Sequence, residues 1–180
     1  RSPAYGYVRV VSASDIHHTL AAATLTASGT AHVNQVHPAA NRDDGGYLVV
    51  WDETDSASVS ASIRVRAIGV SGALAAAPVV VASDPGLVQF APTTAYQGTG
   101  RFVLAWSATD LEGHAPTINA TVTNAAGDDL AGGATSVVAR ASTWATAGFP
   151  EVAVDPRSGA ALVAFTYLES SAYSAACVRL

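Results

Sequence analysis

Short apolar runs punctuated by Gly, Asp and Ser recur along the whole chain. Gly46-Tyr47-Leu48-Val49-Val50-Trp51-Asp52 returns as Arg101-Phe102-Val103-Leu104-Ala105-Trp106-Ser107. Trp51 to Trp106, Ile63 to Ile118 and Gly72 to Gly127 are each 55 residues apart. A third copy runs from Gly159 to Phe165, with Phe165 in the Trp position, and a weaker fourth runs from Tyr5 to Val11. Pro38, Pro92 and Pro150 precede the aromatics by 13, 14 and 15 residues, so the turn between varies by one residue per copy. Surface hairpins tolerate such variation.

Each copy predicts four short strands. The first follows the proline, as in Pro150-Glu151-Val152-Ala153-Val154. Gly/Asp turns such as Asn41–Gly45 and Asp155–Gly159 come next, rich in residues that bond their own backbone. The second strand is the run ending in Trp51, apolar throughout and therefore expected to be buried on both faces. The third, Ser62–Ile68, alternates apolar residues with Arg, as a strand with one wetter face does. A turn at Gly72 or Gly127 leads to the fourth, Pro78–Ala82 or Ser136–Ala139. The best local helix former, Ala73–Ala77, is followed by Pro78 and is expected to be a turn.

Such a unit cannot bury both faces of its sheet alone. Stacking the units radially solves this and leaves only short edges. The expected fold is all-β, a β-propeller-like array of about 55-residue four-stranded units; a β-sandwich or β-solenoid is the alternative. The units fall at approximately 1–36, 37–90, 91–148 and 149–180 of one domain. Fourteen strands are expected, with incomplete blades at both ends. A fragment, a closed small ring and a multi-chain ring all fit that count. Trp51, Trp106, Phe165, Ile63 and Ile118 are the expected core.

Composition narrows the function classes. Apolar residues make up 49% and charged residues 13%, with a net charge of −5 and no Lys. A basic footprint for nucleic acid is absent, as is a polybasic segment for anionic lipid. No apolar stretch is long enough to predict a membrane span. Cys177 is the only cysteine, read as a small buried hydrophobe. The chain opens Arg1-Ser2-Pro3, which is expected of a processed product or fragment.

The pattern Pro … Gly-Tyr-Leu-Val-Val-Trp-Asp … Ile-x-Val-Arg-Ala … Gly resembles the repeat of large secreted or cell-surface proteins of high-GC bacteria, myxobacteria and actinobacteria among them. The resemblance covers nearly the whole chain, most closely Pro38–Ala82. It implies an extracellular propeller-like repeat region reached after removal of a signal peptide, and it carries over no catalytic residue. The last copy departs from it, with Phe165 for Trp and Cys177 at the Ile63 position.

Candidate chemistry is sparse. Trp144 stands in a loop where no other copy has a Trp, and with Tyr96 and Tyr173 it forms the candidate ligand-binding aromatic set. Asp43, Asp44, Asp52, Glu53 and Asp55 are candidate calcium ligands, but their spacing departs from that of a calcium loop and solvated turn carboxylates are preferred. His17 and His18 are adjacent and would face opposite ways on a strand. Asn119-Ala120-Thr121 is a glycosylation sequon. Nucleophile elbow, P-loop, dinucleotide fingerprint and zinc spacing are all absent. The resulting expectation is a non-enzymatic extracellular structural or adhesive module, assembling as a homo-oligomer or with the remainder of a longer chain. The alternatives are a lectin-like carbohydrate-binding module, with a glycan as partner, and a propeller hydrolase.

Overall fold

The computed structural model describes residues 7–11, 19–25, 31–55, 60–75, 77–130, 136–140, 144–169 and 172–180. Among the described residues the structure is all-β and propeller-like, with thirteen strands. These are β1 (Tyr7–Val11), β2 (Thr19–Thr24), β3 (Ala31–Ala40), β4 (Tyr47–Asp55), β5 (Ala61–Ile68), β6 (Val79–Ala82), β7 (Leu87–Gly98), β8 (Arg101–Asp110), β9 (Thr117–Asn124), β10 (Ser136–Arg140), β11 (Trp144–Val154), β12 (Ala161–Glu169) and β13 (Ala172–Arg179).

Antiparallel pairing groups them into consecutive units: β1–β2, β3–β6, β7–β10 and β11–β13. A single parallel pair, Ala61 with Val88, joins the second and third units. No described strand of the fourth unit pairs with the first. The third strand expected for the first unit would fall between β2 and β3, where residues 26–30 lie outside the described residues.

The prolines do not open the first strand of each unit, as the sequence suggested. β3, β7 and β11 begin five to seven residues upstream of Pro38, Pro92 and Pro150. β3 and β11 are edges of their sheets, and β7 meets β5 at Val88, away from Pro92, so these prolines sit where no second ladder needs an N–H. Each also carries a β-bulge: at Asn34–Gln35 opposite Asp52, at Ala91–Pro92 opposite Trp106, and at Phe149–Pro150 opposite Phe165. Ala91 and Phe149 both take φ of 52°. That left-handed backbone costs a non-glycine residue about 1–3 kcal/mol and persists only where its surroundings enforce it.

The core is a series of seams between units. Leu48, Val50, Ile63 and Val65 of the second unit pack against Phe102, Leu104 and Trp106 of the third. Ala105, Ile118 and Ala120 of the third pack against Val163 and Phe165 of the fourth. Trp51, with Val49 and Val33, closes on Leu25 beyond the first unit's β2. Trp51, Trp106, Phe165, Ile63 and Ile118 are therefore all buried. Alternate residues of β4 and β8 enter opposite seams, which is why these strands are apolar throughout.

The fourth unit shows the contrast. Val163 and Phe165 face the third unit and are buried, while Leu162 on the other face is 43% exposed. Cys177 lies on that same outer side and is exposed, not buried as its residue type suggested. It also sits elsewhere in the repeat than chain spacing implied. Cys177 pairs with Ala164, as Val65 pairs with Val50, so Ala175 occupies the Ile63 position. From the aromatic to its cross-strand partner the chain runs two residues fewer through β12–β13 than through β4–β5, which shifts the register by two residues.

Polar stitches hold the turns of neighbouring units together. The Gly100 N–H donates to Asp43 Oδ2 at 2.8 Å, and the Gln97 side-chain amide donates to the Gly159 carbonyl at 2.8 Å. Within the Asp155 turn, the Ser158 hydroxyl and the Arg157 N–H hold the Asp155 carboxyl below its ordinary value.

Gly127, at φ of +85°, sits where a Cβ would lie 2.9 Å from Val65 Cγ2 and 2.9 Å from Val79 Cβ. Both neighbours are β-branched and stiff, so they cannot move aside. Gly127→Ala is expected to destabilise the fold by about 2–4 kcal/mol, combining overpacking with left-handed strain. Urea denaturation measures this, and an unchanged midpoint would refute the seam geometry.

Candidate functional site

β3, β7 and β11 converge on a groove of about 320 Å³ lined by Gln35, Val36, His37, Ala91, Pro92, Thr93, Phe149, Pro150 and Glu151. Pairing explains which side chains meet there. His37 pairs with Val50, Thr93 with Ala105 and Glu151 with Ala164. Each partner is the residue just before the buried aromatic of its unit. The three polar residues thus occupy one structural position around the convergence of these strands. Glu151 Oε2 accepts from the Thr93 hydroxyl at 3.3 Å, and Glu151 Oε1 lies 3.9 Å from His37 Nε2.

Phe149 stands beside them with 65% of its surface exposed. Its bulged, left-handed backbone holds the ring outward at the groove instead of in a seam. An exposed aromatic next to a carboxylate, an imidazole, a hydroxyl and the Gln35 carboxamide can stack an apolar face and hydrogen-bond a polar rim. Among the described residues Glu151 is the single carboxylate lining the groove. Hydrolysis by paired carboxylates requires two, about 5–9.5 Å apart.

Asp52 lies behind Gln35 and is 3% exposed. The bulge at Asn34–Gln35 forms opposite it, and the Asn34 side-chain amide donates to Asp52 Oδ2 at 2.8 Å. Burial raises the Asp52 carboxyl above its ordinary value; hydrogen bonds from Asn34 and from the backbone of Asp52 and Gln35 oppose this in part. Asp52 is a positioning residue that fixes the bulge carrying Gln35.

The aromatic set expected from the sequence does not come together. Trp144 is the first residue of β11, in a strand and not a loop, opposite Glu169; its side chain lies outside the described residues. Tyr173 is 79% exposed on the outer strand β13. Tyr96 is in strand β7, half-buried against Phe102 in an edge-on contact at 5.3 Å. Its hydroxyl accepts from the Gly100 N–H at 3.2 Å, and desolvation together with a hydrogen bond to Asp43 raises it above its ordinary value. Tyr96 therefore serves the joint between the second and third units. It lies about 30 Å along the strands from the end that carries Trp144.

The acidic residues are also dispersed. Asp43 and Asp44 accept backbone N–H groups of Gly100 and Gly46. Glu53 pairs with Arg64 at 2.9 Å and accepts from the Trp51 indole at 3.2 Å. Among the described residues no three His, Cys, Asp or Glu side chains gather as a metal site. His17 and His18 lie outside the described residues.

No protein-family model and no curated protein sequence matches the chain. Solved structures do match in fold. An N-acetylgalactosamine deacetylase from F. plautii, solved with blood group B trisaccharide, aligns with a TM-score of 0.56 and 11% identity over 86% of this chain and 51% of that one. A GH43 endo-arabinanase from Bacillus licheniformis aligns at 0.53 with 12% identity over 88% of this chain and 57% of the enzyme. A Hadza microbial sialidase aligns at 0.60 with 13% identity over 94% of this chain and 37% of the sialidase. The chain thus spans about half the length of the first two and less of the third.

These likenesses overturn the expectation of a non-enzymatic structural or adhesive module. An arabinanase, a sialidase and a deacetylase carry this fold, so missing sequence motifs are no argument against catalysis. Those motifs are contiguous, whereas the groove here takes three residues from each of three separate strands.

Removing the Asp52 charge has a pH signature. A carboxyl raised by folding contributes stability that is complete below its unfolded value, about 3.9, and is lost as pH rises through the folded value. Asp52→Asn keeps an oxygen for Asn34 and removes that loss. The variant should match the parent below about pH 4 and exceed it in stability towards neutral pH. Urea denaturation at a series of pH values measures the gap, and a pH-independent gap would refute the assignment.

Proposed function

We propose that this chain is part of a carbohydrate-active propeller and that the groove at His37, Thr93 and Glu151 receives the glycan. The convergence of these three side chains at one register position carries the reading. Phe149 stacks on an apolar sugar face. Gln35, His37 and Thr93 hydrogen-bond hydroxyls. Glu151 is the acid–base group, with His37 near enough to steady its charge when protonated. The saccharide-directed names of the fold's solved relatives support the substrate class.

A second reading is binding without turnover, and the single groove carboxylate favours it. The remainder of a longer chain, or another copy, would cover the exposed outer face of the fourth unit. The repeat resemblance supports an extracellular setting.

The test is a panel of arabino-oligosaccharides, sialylated glycans and N-acetylgalactosamine-bearing glycans, followed by calorimetry and product analysis. At least one class should bind. Phe149→Ala should weaken that binding about tenfold. Where turnover is seen, Glu151→Gln should cut it about 10²–10⁴-fold while binding changes little. Failure of the whole panel to bind would sink the reading.

A further inference from the structure

The seam beside each buried aromatic is filled differently from unit to unit. In the second unit, Trp51 pairs with Arg64 and Glu53 with Ser62, and the Glu53–Arg64 ion pair at 2.9 Å occupies the space. In the fourth, the Glu53 position is Tyr167, opposite Ser174, with its ring 6.4 Å from Phe165. In the third unit the same two positions are Ala108, opposite Thr117, and Asn119, opposite Trp106. A methyl group stands at the first position, where the other units place Glu53 and Tyr167, and a short amide at the second, where the second unit places Arg64. A cavity of about 480 Å³ opens there, between the face of the third unit and the stretch Val81–Asp84 of the second.

The cavity wall is built for polar contact. Gln89 lines it, is 4% exposed and pairs with Ala108 across β7–β8. A carboxamide in the wall offers a donor and an acceptor to whatever enters. Asn119 is 8% exposed and donates to the Thr117 hydroxyl at 3.0 Å, which leaves its carbonyl oxygen for the cavity. That burial also closes the Asn119 sequon to glycosylation. At the mouth, Asp84 and Asp110 each accept a backbone N–H, of Gly86 and His114, and Asp110 Oδ2 lies 3.9 Å from His114 Nδ1.

We propose that this seam cavity binds a neutral, hydroxyl-rich molecule the size of one sugar ring. Carboxamides supply donors and acceptors together, as hydroxyls require. Among the described residues no Arg lines the cavity, and its two carboxylates repel anions. The Trp106 and Ala108 surfaces supply an apolar floor. The volume falls in the range of small-molecule sites. None of the cavity's residues belongs to the groove at Glu151, so the two sites stand or fall separately.

The whole chain, isotope-labelled, is titrated with L-arabinose, D-galactose and D-glucose up to about 100 mM, which covers millimolar affinities. The side-chain amide resonances of Gln89 and Asn119 should move and saturate with at least one sugar. Two filled variants copy the other units: Ala108→Glu with Asn119→Arg, and Ala108→Tyr. Whichever folds should weaken the response at least about tenfold, while Glu151→Gln leaves it unchanged. The proposal is overturned if no sugar gives a saturable shift, if a folded filled variant binds as well as the parent, or if L-arginine saturates the site and the sugars do not.

Discussion

A short sheet that is apolar on both faces has to be covered on both faces, and the architecture follows from that. β4 and β8 send alternate side chains into opposite seams, so each sheet is stable only between two others. Trp51, Trp106 and Phe165 each enter the seam toward the preceding unit, which gives the stack one direction. Truncating such an aromatic typically costs about 3–5 kcal/mol. The fourth unit has one covered face, and its uncovered side exposes Leu162 and Cys177.

Stacking of the units brings β3, β7 and β11 together, and this makes a candidate site without any contiguous motif. Prolines and bulges are tolerated there because the stretches that carry them have no second ladder to lose. The bulges then aim residues off the sheet plane. Phe149 owes its exposure to a left-handed backbone that the flanking pairs of β11 and β12 enforce. Behind the groove, Asp52 trades a buried charge for a fixed Gln35.

Much of the fold was legible in the chain. The 55-residue spacing located the strands and the buried aromatics, because a repeat that must stack repeats its core residues. The groove was not legible, for a specific reason. His37 precedes its proline while Thr93 and Glu151 follow theirs, so aligning the copies on proline separates residues that share one position. The bulge lies opposite Asp52 in one unit and opposite the aromatic in the other two, and only the pairing register shows it. Cys177 was misplaced by the same kind of slip. Lone aromatics were a poor guide, since Tyr96 is packed into a joint.

Whether the groove at β3, β7 and β11 holds a saccharide is decided by a crystal structure of the chain soaked with an arabino-oligosaccharide. A sugar ring should stack on Phe149 with a hydroxyl hydrogen-bonded to Glu151. Well-ordered sugar elsewhere on the protein, with the Glu151 groove holding only solvent, would contradict it.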